Sequence, residues 1–236
     1  MAWADHHGMT PTTLPAGDID PEALLHDLLT SGWLRLILPP ALGGAGATPA
    51  EVAEALLPWA RRHPGAGWMA WSQAMVVEAL VRSPNVAVRE TVLPDLLDGT
   101  RAGAVSWAAE WGLASPPKPV LATPLARGWR LDGRLEQVFN LHWMGYVVLC
   151  PVWFAQGTGR TPALRWTLLR SEEDGLRADM APHRALHRQA ACGDLQLQGV
   201  YFREDELLAD DPVALRTPLS LLDQALRAAL WSAALM

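Results

Sequence analysis

The spacing of apolar residues changes near Gly103, and that change limits the folds open to this chain. Before Gly103, apolar residues recur every three or four positions between proline and glycine breaks, a pattern typical of helices. After it come β-rich runs, YVVLCPVW, ALRWTLLR and LQLQGVYF, separated by Gly, Pro and acidic clusters. Helical spacing returns after Thr217. Helices, then strands, then one more helix predict an α+β fold.

Helix start signals divide the first hundred residues. Asp20-Pro21 predicts one start, and Thr48-Pro49-Ala50-Glu51 is a capping box with proline at the first helical position. A helix from about 67 to 81 is apolar nearly all round, so we expect it to be buried. Ser83-Pro84 predicts a fourth helix, and Pro94 predicts a separate short turn ending at Gly99.

A stretch rich in proline and glycine, LPPALGGAGA, links the first two predicted helices. Pro39-Pro40 prevents helical continuation, and Gly43, Gly44 and Gly46 allow backbone turns that other residues rarely adopt. We therefore expect the chain to reverse here, directly before the capping box.

Composition excludes several classes of function. The net charge is -6, from 25 acidic and 19 basic side chains without a run of like charge, which argues against nucleic acid and anionic membranes as partners. Two cysteines, Cys150 and Cys192, are too few for a disulfide framework and favour a reducing, cytoplasmic location. There is no leader pattern and no apolar run long enough to span a membrane, so we expect neither secretion nor membrane insertion.

Two local signals in the second half carry further expectations. Asp132-Gly133 favours a tight hairpin turn. Thr217-Pro218 is expected to cap the last helix, whose apolar stripe consists of Leu219, Leu222, Leu226 and Leu230. A monomer would expose such a stripe, which predicts a homo-oligomer or a partner chain that supplies a helical bundle.

Four segments together resemble the acyl-CoA dehydrogenase superfamily. ILPPALGGAGATPAEVAEALLPWAR resembles the family's P-x-x-Y-G-G-x-G segment and the helix that follows it, and VLPDLLDGTRAGAVSWA resembles the end of its helical domain. GWRLDGRLEQVFN has the spacing of GW-x-L-x-G-x-K-x-W-I-T-N, and GLRADMAPHRALHRQAACGDLQLQGVYFREDELL resembles the late strands of the middle domain. Residues 1–18 show no apolar periodicity, which predicts a flexible tail. The resemblance implies an α-helical domain (19–103), a middle β-barrel (104–212) and the first helix of an incomplete carboxy-terminal bundle (213–236).

The resemblance also implies a flavin site. In the family, residues of two strands place amides and hydroxyls on FAD, which implies that FAD is held here by Val105, Ser106, Trp107, Val138, Phe139 and Asn140. The helix bordering the acyl cavity would place Trp68, Trp71 and Met75 in a substrate pocket. Core packing is the competing interpretation of Trp68 and Trp71, and Trp107 with Trp111 either contact a flavin or fill its space.

Some positions depart from the family pattern. Gln137 replaces a tryptophan, Phe139 replaces a threonine that faces flavin N5, and no catalytic base is identified, since the family's glutamate lies in the carboxy-terminal bundle. Glu110 is a weak candidate for that base. The sequence therefore predicts either a flavin-dependent oxidoreductase (or a subunit of one) acting on acyl thioesters, or a non-catalytic, cofactor-free binding or assembly subunit.

A histidine pair invites a metal interpretation. On a helix, His183 and His187 could share one face, with Cys192 and Asp194 nearby in the sequence. The pattern of this segment instead favours a loop that leads into a strand. We therefore expect no metal site. Arg188 coincides with an arginine common in the family, for which a structural salt bridge is expected.

Overall fold

The computed structural model describes residues 20–107, 120–142, 145–156, 162–180 and 189–235. Within these ranges, four α-helices of ten or more residues precede eight strands, and another follows them. The helices are α1 (Pro21–Thr30), α2 (Pro49–Arg62), α3 (Pro64–Arg82), α4 (Val86–Asp98) and α5 (Pro212–Ala234). The strands are β1 (Ala102–Ser106), β2 (Val120–Pro124), β3 (Trp129–Phe139), β4 (Tyr146–Phe154), β5 (Ala163–Arg170), β6 (Leu176–Asp179), β7 (Gly193–Phe202) and β8 (Leu207–Ala209). This order confirms the predicted α+β class.

The start signals of α1 and α2 act as predicted. Asp20 caps α1, because its carboxylate accepts a hydrogen bond from the Glu22 amide at 3.0 Å. Thr48 and Glu51 form the reciprocal capping box at the start of α2, with the Thr48 amide donating to the Glu51 carboxylate at 2.8 Å.

The fourth helix begins at Val86 under the cap of Asn85 rather than at Ser83-Pro84, and two prolines predicted to mark helix boundaries lie inside helices. Pro94 lies inside α4, which runs without a break to Asp98, so the separate turn expected after residue 94 is wrong. The last helix begins at Pro212 under the cap of Asp211 and contains Pro218, so the expected cap at Thr217-Pro218 is also wrong. In both cases the proline removes one backbone donor, but the packed helix continues through it.

The link between α1 and α2 folds back on itself. The amide of Gly46 donates to the carbonyl of Leu38 at 2.8 Å, and Gly43 adopts a φ of 76°. A Cβ on Gly44 would lie 2.1 Å from the Leu38 carbonyl oxygen, so only glycine permits this approach. The predicted reversal is confirmed, and Gly44 is required by close contact with backbone.

The strands form one eight-stranded sheet. Its path runs β6-β7-β3-β1-β4-β5-β8, while β2 pairs with both β3 and β4. Thus β1 and β2 lie one after the other between β3 and β4, and each of them pairs with both of these strands. Within the described residues, the ladders leave this path open at β6 and β8.

The Asp132-Gly133 pair is not a hairpin turn. Both residues lie inside β3, where they oppose Gln198 and Leu197 of β7, and a register shift falls between Leu131 and Asp132. The hairpin expected at this dipeptide is therefore wrong. The turn from β2 into β3 lies just before it and contains Gly128, with a φ of 74°.

Helix α3 lies at the centre of the core. Every residue from Gly65 to Leu80 is buried, as the all-round apolar pattern predicts. On one side Gly103 of β1 approaches so closely that a Cβ there would lie 3.0 Å from that of Val76. On the other side a Cβ on Gly67 would lie 2.4 Å from Leu230 of α5. Helix α3 is therefore enclosed between the sheet and α5.

The predicted apolar stripe of α5 faces inward. Leu219, Leu222, Leu226 and Leu230 are all 5% exposed or less. The expectation that a monomer would expose this stripe is wrong, because α2 and α3 already cover it. Within the described ranges, no helix is both long and apolar enough to cross a membrane.

Candidate functional site

The register of β1 and β3 brings the predicted cofactor residues together. Val105 is opposite Phe139, and Ser106 is opposite Val138, so the ends of the two strands lie side by side. Five of the six residues are nearly or fully buried, and Trp107 is half-buried. The two segments that the family resemblance selected therefore adjoin in space.

The polar groups at this junction bond to the protein itself. The Ser106 hydroxyl donates to the Glu136 carbonyl at 2.6 Å, and the Trp107 amide donates to the Gln137 carbonyl at 2.8 Å. The Gln137 amide donates to the Asp194 carboxylate at 2.8 Å. Gln137 has a φ of 51°, a conformation that costs a non-glycine residue energy and marks an irregular end to the ladder.

Asn140 links the end of β3 to α3 and to β1 through side-chain hydrogen bonds. It is fully buried with a φ of 67°, a conformation that asparagine tolerates better than most residues. Its side-chain amide donates to the carbonyls of Met69 at 2.9 Å and Gly103 at 3.0 Å. Its side-chain oxygen lies 3.2 Å from Nε2 of His142, and burial lowers the pKa of that imidazole to about 4. Neutral His142 thus completes a buried polar network.

Five rings form an aromatic cluster against the same junction. The members are Trp68 and Trp71 of α3, Trp107 after β1, Phe139 at the end of β3 and Trp231 of α5. Their contacts include Trp68–Trp107, with centroids 4.6 Å apart, and Trp68–Phe139, stacked at 5.7 Å with an interplanar angle of 27°. Trp71 is fully buried, whereas Trp231 is 56% exposed, so the cluster extends from the core to the surface.

Arg227 of α5 is held within this cluster. Its guanidinium carbon lies 4.2 Å from the ring centroid of Trp107 and 4.7 Å from that of Trp71. Its Nε donates to Asp223 at 2.7 Å, and a terminal nitrogen donates to the Trp107 carbonyl at 3.1 Å. The Trp71 indole also donates to Asp223, at 2.7 Å. One partly buried ion pair therefore joins α5, α3 and the end of β1.

Sequence reasoning missed three members of this arrangement. Asp223, Arg227 and Trp231 were not identified as site residues, although Asp223 and Arg227 have the i,i+4 spacing of a helical ion pair. That spacing alone is uninformative, since most such pairs lie on the surface. Among the predicted pocket residues, Trp68 and Trp71 belong to the cluster, and Met75 is fully buried in the core one turn further along α3.

The other sequence candidates contribute little to this site. Among the described residues, no group of three or more His, Cys, Asp or Glu side chains is arranged to hold a metal ion. Cys192 is buried, which raises the pKa of its thiol to about 12, and Asp194 accepts a hydrogen bond from Arg134. The tail (1–18), Glu110, Trp111, His183, His187 and Arg188 lie outside the described residues.

The rings of the aromatic cluster leave no room for a flat flavin ring between them. A planar ring held flat between two others requires about 7 Å between those rings, since each contact needs about 3.5 Å. The centroids of Trp68, Trp107 and Phe139 are only 4.6–6.3 Å apart. Phe139, at the position that the resemblance assigns to flavin N5, has no hydroxyl to donate and is only 4% exposed.

A known family model matches the helical domain, and solved structures share the fold. Residues 12–100 match the family model described as "Acyl-CoA dehydrogenase, N-terminal domain". Among curated protein sequences, none matches this chain.

Many solved structures share the fold. A glutaryl-CoA dehydrogenase from Mycobacterium smegmatis in complex with FADH2 is 20% identical with a TM-score of 0.70, and the match covers 87% of this chain and 51% of that one. PigA with FAD and proline is 15% identical with a TM-score of 0.72, covering 91% and 57%. A variant of the Tcur3481-Tcur3483 steroid ACAD is 25% identical with a TM-score of 0.59, covering 90% and 53%. This chain therefore spans little more than half the length of each.

The domain match covers residues 12–100, and the structural match with the glutaryl-CoA dehydrogenase covers 87% of the chain, so the two findings agree. Over residues 12–100 the chain matches the amino-terminal domain of acyl-CoA dehydrogenases, and it shares the fold of solved dehydrogenase structures.

Proposed function

We propose that this protein is a non-catalytic, cofactor-free binding or assembly subunit that keeps the acyl-CoA dehydrogenase scaffold. The observation that carries the proposal is the packing of Phe139, which stacks on Trp68 at 5.7 Å where the family resemblance expects a hydroxyl facing a flavin. A side chain that fills a cofactor's place contributes buried apolar area to the fold and gives nothing to redox chemistry.

The hydrogen bonds around the junction support the same proposal. The Ser106 hydroxyl, the Trp107 amide and the Asn140 side chain each donate within the protein. Redirecting such a buried donor to a ligand would leave its present acceptor without a partner, which costs about 1–3 kcal/mol each time. These hydrogen bonds therefore hold the ends of β1 and β3 in a fixed arrangement.

The experiment is a flavin-binding measurement. The protein is purified, incubated with excess FAD, desalted and examined by visible absorption and by quenching of tryptophan fluorescence. We expect a colourless protein and unchanged tryptophan emission, because the cluster's own rings occupy the space. A yellow protein with one FAD per chain would overturn the proposal.

A pair of variants makes the test sharper. Phe139→Thr restores the family hydroxyl and removes the stacked ring, whereas Phe139→Leu removes the ring without adding a hydroxyl. We expect neither variant to bind FAD, because Trp107 and Arg227 still close the junction. Circular dichroism establishes that both variants are folded before titration. Tight binding by Phe139→Thr alone would show that one side chain blocks an otherwise intact site.

A second candidate is a flavin-dependent oxidoreductase, or a subunit of one, acting on acyl thioesters. The adjacency of Ser106 and Asn140 on neighbouring strands favours it, as does the presence of FAD or FADH2 in the names of similar structures. It requires the rings of Trp107 and Phe139 to move apart when a partner chain binds. The check is to repeat the FAD titration with a candidate partner chain and then add an acyl thioester; bleaching of a flavin band would support this candidate.

A further inference from the structure

Four indole rings of the aromatic cluster form a series that runs from the core to the surface. Trp71 is fully buried, Trp68 is buried, Trp107 is half-buried and Trp231 is exposed. The ring centroid of Trp71 lies 5.9 Å from that of Trp68 and 6.3 Å from that of Trp107. Trp68 and Trp107 in turn lie 6.0 and 6.1 Å from Trp231. Two parallel routes, each with one intermediate indole, therefore join Trp71 to Trp231.

Contact between indoles permits the transfer of single electrons. An indole loses an electron far more easily than a phenyl ring or an aliphatic side chain, and electron transfer is fast between π systems in van der Waals contact. A vacancy, meaning one missing electron, on Trp71 can therefore be filled from Trp68 or Trp107. The vacancy left on either ring can then be filled from Trp231. Phe139 packs in the same cluster but is too difficult to oxidise to take part.

The hydrogen bond of Trp71 provides a place for its proton. The Trp71 indole nitrogen donates to the Asp223 carboxylate at 2.7 Å. Loss of an electron makes the indole N–H strongly acidic, so the proton can pass to this carboxylate, leaving a neutral indolyl radical and a carboxylic acid. When an electron arrives from Trp68 or Trp107, the same proton returns to Trp71. No uncompensated positive charge then has to remain in the core, where its free energy would be high.

The charges around the cluster favour Trp231 as the end of the series. The Arg227 guanidinium carbon lies 4.2 Å from the ring centroid of Trp107, so its positive charge disfavours a vacancy there. Within the described residues, no cation lies over the ring of Trp68 or Trp231. Trp231 is 56% exposed, so water can solvate a positive indole and accept its proton. A vacancy that starts inside therefore has its lowest free energy at the surface.

We propose that the four tryptophans carry a one-electron vacancy from Trp71 to Trp231, so that oxidation that begins in the core ends at the surface. The co-reactant is a one-electron oxidant, such as an inorganic radical anion, which gains the electron that the indole loses. At Trp231 the oxidised indole releases its N–H proton to water, and a neutral indolyl radical remains. This activity uses no flavin, so its failure would leave the proposed cofactor-free function untouched.

The first test starts the vacancy with light. The whole chain is irradiated in the tryptophan absorption band under argon, with a cobalt(III) ammine complex that takes up the ejected electron and becomes cobalt(II). A nitrone spin trap adds covalently to radicals at the surface, and peptide mass spectrometry measures the adduct on Trp231. We expect a clear yield of this adduct in the wild type.

A set of variants separates transfer from direct oxidation of Trp231. Trp68→Phe and Trp107→Phe should each keep most of the adduct, because the other route remains. The double variant should keep about a quarter, since only one of the four indoles then supplies Trp231. Trp153→Phe is the matched control and should change nothing. Trp153 lies on β4 outside the cluster, and its indole nitrogen has no hydrogen-bond partner among the described residues. Equal adduct in the wild type and the double variant would overturn the proposal.

A second measurement leaves the buried rings in place. Trp231→Phe removes only the exposed end of the series, and circular dichroism establishes that this variant and the double variant are folded. After a laser pulse, the transient absorption of the tryptophan radical should last longer in Trp231→Phe than in the wild type, because the vacancy no longer reaches the trap. A lifetime no longer than that of Trp153→Phe would also overturn the proposal.

Discussion

Replacing Arg227 by methionine removes the charge held in the aromatic cluster while keeping a long apolar stem. In this variant Asp223 would keep the hydrogen bond from the Trp71 indole. It would lose the Arg227 guanidinium, whose Nε lies 2.7 Å from the Asp223 carboxylate in the native protein. The two indole faces at 4.2 and 4.7 Å would lose a cation and retain apolar contact with the methionine. The variant therefore isolates the electrostatic part of the cluster.

The expected loss follows from the burial of the pair. The side chains of Arg227 and Asp223 are 20% and 12% exposed, which places the pair nearer the buried limit than the surface limit. Breaking a buried pair from one side costs about 3–5 kcal/mol, whereas a surface pair contributes less than about 1 kcal/mol. We expect Arg227→Met to lower the free energy of unfolding by about 3 kcal/mol, and Tm by about 6–12 °C for a chain of this size.

The assay is chemical and thermal unfolding followed by far-ultraviolet circular dichroism, on a double-mutant cycle. Adding Asp223→Asn to Arg227→Met leaves no unpaired charge and keeps an acceptor for Trp71, so the double variant should be more stable than Arg227→Met alone. Arg216→Met is the control on the same helix, outside the cluster, and should change stability by less than about 0.5 kcal/mol. If Arg227→Met loses less than about 1 kcal/mol, or if the two changes are additive, the pair does not stabilise the cluster.

Two further predictions concern the fold around the site. His142 has its pKa lowered to about 4 in the folded state, against an ordinary value of 6.5, so its contribution is fully present above pH 6.5 and is lost as the pH falls towards 4. Over that window, wild type should lose about 3 kcal/mol more than His142→Gln in urea titrations, and equal losses would contradict the assignment. Gly44→Ala should destabilise the protein far more than Gly43→Ala. A Cβ at position 44 would lie 2.1 Å from the Leu38 carbonyl oxygen, whereas a Cβ at position 43 would meet no atom within 4 Å and would be disfavoured only by the φ of 76°. Thermal unfolding of both variants checks this order, and equal Tm values would refute it.

What the sequence determined by itself was local. The caps at Asp20 and Thr48 could be predicted because each depends on hydrogen bonds within three residues of the helix start. The burial of α3 could be predicted because its sequence leaves no polar face. The two segments to which the family resemblance drew attention adjoin in space, although they are about thirty residues apart in the chain.

Tertiary structure decided everything that depends on partners distant in sequence. The hairpin signal at Asp132-Gly133 gave way to an eleven-residue strand, because pairing with β7 along its length outweighs one local turn preference. The leucine stripe of α5 turned inward because α2 and α3 offered it a surface. The contact between Trp68 and Trp231 joins residues far apart in the chain, and no spacing rule connects them. Hydrogen bonds within a few residues follow from sequence, whereas burial depends on which elements the topology brings together.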